Sequence, residues 1–237
     1  MNAAETTHRR SFLRRMFGAA AAASVPMNGM RTVAAQESGP DDWIKDVKGT
    51  RRCLFDFPQH KNGMPLLHIL NYLNTYTAVY KAGAGQVGAV GTFYGIGNQA
   101  SISLAFNDAT WAKYGLGEYT ALKDMAGKPY TRNVFYRPTK DDLHLLMQAI
   151  SSPMIPALAE AMPGIGIENL QKMGASFLLC ANALDGWCLE LEARGKGKAP
   201  DIGKDLRANL LPGVTIVPAM VIAIEKAQGA GIAYNRQ

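Results

Sequence analysis

Long apolar runs are scarce in this chain of 237 residues. The run from Met16 to Val25 is mostly alanine and about half the roughly 20 residues that a membrane-spanning helix needs. No later stretch is long and apolar enough to span, so no membrane anchor is expected after it. Cysteine is rare, with Cys53, Cys180 and Cys188 the only three. An odd count leaves at least one thiol unpaired even where disulfides form. Four histidines are present; His8 lies near the start, and His60, His68 and His144 stand apart from any Cys/His/Asp spacing that suits zinc or iron. No metal or other cofactor is expected, and no Ser-His-Asp set stands out. Gly95-x-Gly97 lacks the full dinucleotide fingerprint, and no Gly-Lys-Ser/Thr follows it, so nucleotide binding is not expected either.

What is present begins with the N-terminus. Arg9-Arg10-Ser11-Phe12-Leu13 precedes the alanine run, Arg31 follows it, and small residues up to Ala35-Gln36 offer a cleavage site. A basic segment followed by a short apolar one is a targeting pattern, and paired arginines in this register are a receptor-read export address. The reading is a twin-arginine signal over residues 1–36, recognised by the twin-arginine (Tat) export machinery, with a periplasmic destination. The formal net charge of +6 then belongs largely to the signal. The remainder carries 20 basic and 18 acidic residues, which gives no electrostatic case for nucleic acid. The run Arg194-Gly-Lys-Gly-Lys198 reads as a solvated loop.

About 200 residues remain, enough for one domain whose core needs no disulfide. Residues 37–49 read as a flexible leader. Arg52 to Phe57 reads as a strand, and Leu66, Leu67, Ile69, Leu70, Leu73 and Tyr76 recur at helical spacing. Val87 to Tyr94 reads as a second strand, and Gln99 to Trp111 as a helix. Residues 113–140, mixed and rich in Gly, Pro, Lys and Thr, read as an excursion over the surface, and His60-Lys61 as a surface loop. A short helix covers 141–150, another runs from Ile167 to Met173, and Ala175 to Cys180 is a buried strand. Asp205 to Leu211 reads as a helix, Val214 to Val217 as a strand, and the segment from Pro218 to Gln228 as a final helix. Strands alternating with helices predict an α/β fold, a mainly parallel sheet covered on both faces.

Two segments carry a family likeness: Gly174-Ala-Ser-Phe-Leu-Leu-Cys180-Ala-Asn182-Ala-Leu184, and the closing run from Leu211 to Tyr234, with its Val-Pro pair and terminal Gly-x-Ala-Tyr. Together they resemble the DsrE/DsrF-like (YchN-like) family over most of residues 50–237, with an apparent insertion at about 119–166. The resemblance implies a three-layer α/β/α sandwich assembled as a homo-oligomer, trimer or hexamer. It also implies a sulfur relay in which a cysteine persulfide forms at Cys180, in exchange with a sulfur donor or acceptor protein. Where many members have His-Gly after the second strand, this chain has Tyr94-Gly95.

Two readings of function follow. In the first, Cys180 is a reactive, accessible thiol at the carboxyl edge of the sheet, a place where open α/β sheets build sites. Asn182 and the start of the next helix would donate hydrogen bonds to its sulfur, with Cys188 as a resolving thiol and Cys53 structural. In the second, Cys180 is a small buried hydrophobe. The protein is then a non-catalytic oligomeric module that binds a small ligand or a protein around Tyr94, Gly95, Asn98 and Asn182.

Overall fold

The computed structural model describes residues 39–237; the twin-arginine signal lies outside the described residues. Five parallel strands, β1 (Arg51–Asp56), β2 (Val87–Phe93), β3 (Ala175–Cys180), β4 (Val214–Val217) and β5 (Ala233–Arg236), form one sheet in the order β4-β3-β2-β1-β5. The two central strands β2 and β3 are almost wholly apolar, as a sheet covered on both faces requires. β2 is buried at every position.

Helices cover the two faces unequally. The thick side holds α2 (Met64–Ala78), α3 (Asp108–Tyr114), α4 (Leu116–Tyr119), α5 (Leu143–Ala149), α6 (Ile167–Lys172), α7 (Ala181–Ala193) and α8 (Ala199–Ala208). The thin side holds one helical turn, α1 (Trp43–Asp46), and α9 (Met220–Gly229). Connectivity explains the asymmetry. From β1 to β4 the chain steps along the sheet in one direction, and right-handed crossovers keep every connection on one face. The last step reverses direction to place β5 beside β1, so the same handedness puts α9 on the opposite face.

Local sequence sets most helix ends. Pro65 occupies the first turn of α2, and Leu66, Ile69, Leu70 and Leu73 face the core. The Asn107 side chain caps α3 by accepting from the Thr110 N–H, and Gly115 closes that helix in the left-handed conformation. Thr139 and Asp142 form a reciprocal capping box in the turn before α5. Trp111 and Trp187 are fully buried, and each indole N–H finds a partner, the Ser103 carbonyl and the Tyr119 hydroxyl respectively.

Several expectations are corrected. The leader is ordered from residue 39: Trp43 and Val47 are buried beneath the thin side against Leu54 and Val90. Three apolar residues, Trp43, Ile44 and Val47, in a polar string are too few to make this legible. Residues 113–140 do not run over the surface; Leu116, Tyr119, Leu122, Val134 and Phe135 are core residues. That segment has little regular structure because side chains satisfy its neighbours' backbone. The Asn133 amide, for example, donates to the carbonyls of Leu104 and Phe106 at 2.9 and 2.8 Å. Residues 99–111 split into a 3₁₀ turn (Ser101–Ala105) and the start of α3. The helix before β4 begins at Ala199 and ends at Ala208, earlier than its apolar spacing suggests. β5 is a further strand that composition did not reveal; it is an edge strand of four exposed residues.

Candidate functional site

Where the β3 and β4 connections part, the sheet has its switch point. The chain leaves β3 into α7 on the thick side and leaves β4 into α9 on the thin side. Open α/β sheets place ligands in the crevice that such a divergence creates. Cys180 sits there. It is the last residue of β3 and the N-cap of α7, with its backbone extended. Its Sγ accepts the Ala183 N–H of α7 at 3.4 Å and the Met220 N–H of α9 at 3.3 Å. One sulfur thus receives a donor from the first turn of two helices on opposite faces, each helix presenting the positive end of its dipole. The sulfur is thus the shared hydrogen-bond acceptor of the two helix starts. The side chain is buried, with 6% of the residue exposed.

Strand parity brings a second group to the same face. Residues paired across a parallel sheet point the same way. The register pairs Leu54 with Val90 and Tyr234, Thr92 with Leu178, and Cys180 with Val217. Asp56, two residues beyond Leu54, and Tyr94, two beyond Thr92, therefore share the thin-side face with Cys180 at the carboxyl edge. The Asp56 carboxylate is 5% exposed. Oδ1 accepts the Tyr94 hydroxyl at 2.7 Å, Oδ2 accepts the Tyr234 hydroxyl at 2.7 Å, and the Thr92 hydroxyl lies 3.4 Å from Oδ1. Burial first, and then the bond to Asp56, raises the Tyr94 phenol above its ordinary range. For Tyr234 the bond to Asp56 is the larger cause of a shift in the same direction. Both phenols keep their protons at neutral pH.

The two loops that follow β1 and β2 are stapled to each other. His60, expected on the surface, is completely buried. Its Nδ1 accepts the Asn62 N–H, its Nε2 lies 3.3 Å from the Asn98 carbonyl, and its backbone N–H donates to Gln99. Burial lowers its pKa to about 4, so the ring is neutral. Gly95 follows with a φ of 95°, and a Cβ there would meet the Pro58 carbonyl at 2.9 Å. The close approach of the two loops needs glycine.

Among the sequence-predicted site residues, Cys180 and Tyr94 share a face, while Gly95 and Asn98 line a cavity over the neighbouring strands. Asn182 is exposed, and its N–H donates to the Pro218 carbonyl; Ala183 supplies the N–H that reaches the sulfur. Cys188 does not sit with Cys180. It is buried on the thick side beside Trp187, eight residues along α7, a rise of about 12 Å where a disulfide needs Cα atoms within roughly 7 Å. All three cysteines are free, and burial pushes the thiols of Cys53 and Cys188 up to about 11. Among the described residues no cluster of three potential metal ligands occurs.

Sequence reasoning missed Asp56 and Tyr234. A lone acid within the apolar strand Arg-Cys-Leu-Phe-Asp-Phe was the available signal, because a buried carboxylate demands partners. No family model, curated protein or solved structure matches the chain.

Proposed function

We propose that this is a sulfur-handling protein in which Cys180 carries sulfane sulfur, working on the periplasmic side as a homo-oligomer. The observation that carries the reading is the pair of helix-start N–H groups on Cys180 Sγ. They hold the attacking sulfur in place for the exchange; in the persulfide that results they touch the inner sulfur, and the charge lies on the outer one. In the step itself, the Cys180 thiolate attacks the outer sulfur of a donor persulfide. A new S–S bond forms, the donor's S–S bond breaks, and the donor leaves as a thiolate, so no external oxidant or reductant is needed. An acceptor thiolate repeats the exchange in the other direction. The resemblance of residues 174–184 and 211–234 to DsrE/DsrF-like proteins supports the same chemistry. The covering residue Met220 is 2% exposed, so the exchange requires the β4–α9 connection to open.

The burial of Cys180 favours a second reading, a non-catalytic binding module on the same scaffold. One experiment separates the two. The thiols of the folded protein are alkylated across pH and located by mass spectrometry, before and after exposure to polysulfide. The first reading expects Cys180 to alkylate in the folded protein and to gain sulfur mass, with Cys53 and Cys188 silent. Cys180 remaining unmodified until the protein unfolds overturns it and leaves the binding module.

A further inference from the structure

We propose that the cavity above the carboxyl ends of β1, β2 and β5 is a binding site for a compact oxyanion of the sulfate, thiosulfate and phosphate type. The proposal rests on this cavity alone and goes beyond the sulfur reading of Cys180. The cavity has a volume of about 610 Å³. Lys61 and Arg236 lie on its wall, both exposed. Neither is engaged in an ion pair among the described residues. Gln59, Asn98, Gln99 and Gln237 also line it, and the lining holds no Asp or Glu side chain, the main-chain carboxylate of Gln237 being the one acidic group to set against the two cations. Two unpaired cations, carboxamides and no acidic side chain suit a small, strongly hydrogen-bonding anion and are poorly suited to an apolar or cationic ligand.

The backbone that presents Lys61 is held in an unfavourable shape. Lys61 and Asn62 have φ of 40° and 50°, and Gly63 follows at 89°, three successive residues in the left-handed region. Outside glycine such a conformation is unfavourable, and it persists only where the surroundings enforce it. Here the enforcing group is His60, bonded forward to Asn62 and across to Asn98 of the facing loop. A solvated loop lysine needs no such restraint. The restraint fixes the backbone at Lys61 on the cavity wall, and Arg236 is placed on that wall by its register with Asp56 in the sheet.

The test is calorimetric titration of the folded protein with sodium sulfate, thiosulfate and phosphate at low ionic strength, with chloride as the background salt. The expected result is saturable binding of at least one oxyanion. Lys61→Asn, which tolerates the left-handed backbone, and Arg236→Gln should each weaken it by about tenfold, the loss of one charge-assisted contact. Cys180→Ser should leave it unchanged, which keeps a failure here distinct from a failure of the sulfur reading. The order of the three anions tells whether a sulfur oxyanion or phosphate is preferred. Absence of saturable binding overturns the proposal, as does equal binding by wild type and Arg236→Gln. Arg236 lies on an exposed edge strand, so that variant remains informative if the Lys61 substitution disturbs the fold.

Discussion

Tyr94 donates its phenolic hydrogen to Asp56 across 2.7 Å, binding the end of β2 to the end of β1 through side chains just where the backbone ladder stops. Tyr234 makes the matching bond from β5 to the other oxygen. Asp56→Asn keeps the shape but leaves one acceptor oxygen and sets an N–H₂ group against a phenol. The expected cost is about 1.5–3 kcal/mol, the range for a hydrogen bond to a charged group, read as a lower urea midpoint. Loss of the neighbouring anion should also bring the Tyr94 and Tyr234 phenols down toward their ordinary range, visible in an ultraviolet tyrosinate titration. Unchanged stability together with an unchanged titration would show that the bonds contribute nothing in solution.

At Cys180 the comparison of two variants is more informative than either alone. Cys180→Ala removes the acceptor of two N–H groups, and an orphaned buried donor costs roughly 1–3 kcal/mol. Cys180→Ser retains an acceptor. Serine should therefore be the more stable variant, and amide hydrogen exchange at Ala183 and Met220 should quicken in the alanine variant alone. Equal exchange in both would detach those N–H groups from the sulfur.

His60 gives the fold a dependence on pH whose sign is fixed by its burial. Above its ordinary value of 6.5 the ring is neutral in both states and contributes nothing to the slope. Between 6.5 and about 4 the unfolded chain takes a proton that the folded chain refuses, so stability falls as pH falls, by up to about 3 kcal/mol. Below that range this group adds no further loss. His60→Gln should flatten that part of the stability–pH curve. Identical slopes in the two proteins would assign the acid sensitivity to other groups.

Gly117 tests whether the segment after α3 is core. A Cβ there would lie 2.0 Å from the Tyr130 carbonyl oxygen and 2.6 Å from its nitrogen, and backbone cannot step aside as a side chain can. Gly117→Ala should cost about 1–3 kcal/mol, the usual range for overpacking, by thermal or urea unfolding. A surface excursion would tolerate the change.

The sequence made the central sheet legible because its signals there are local. Ala175 to Cys180, which follows Gly174, and Val214 to Val217, between Gly213 and Pro218, are short, mostly apolar runs, and both are strands over those residues. Trp43 and Val47 were hidden because their burial depends on a sheet face built much later in the chain. β5 was hidden because an edge strand pairs through its backbone, which any composition allows. At the site, a cysteine at a strand end was readable, but its second donor was not: Met220 lies 40 residues away and meets the sulfur because β4 pairs beside β3 and α9 starts from the end of β4. Asp56 was missed for the same reason, since the tyrosines that satisfy it come from two other strands.

The lopsided cover of the sheet has a consequence for its margins. Among the described residues seven helices shelter one face, while a single turn and the ten residues of α9 shelter the other. β4 and β5, which flank α9 in the chain, are the two outermost strands of the sheet. Loosening α9 therefore does more than bare a patch of side chains. It slackens the connection between opposite borders of the sheet, so the cover of the thin face and the tie between the two edge strands rest on the same ten residues.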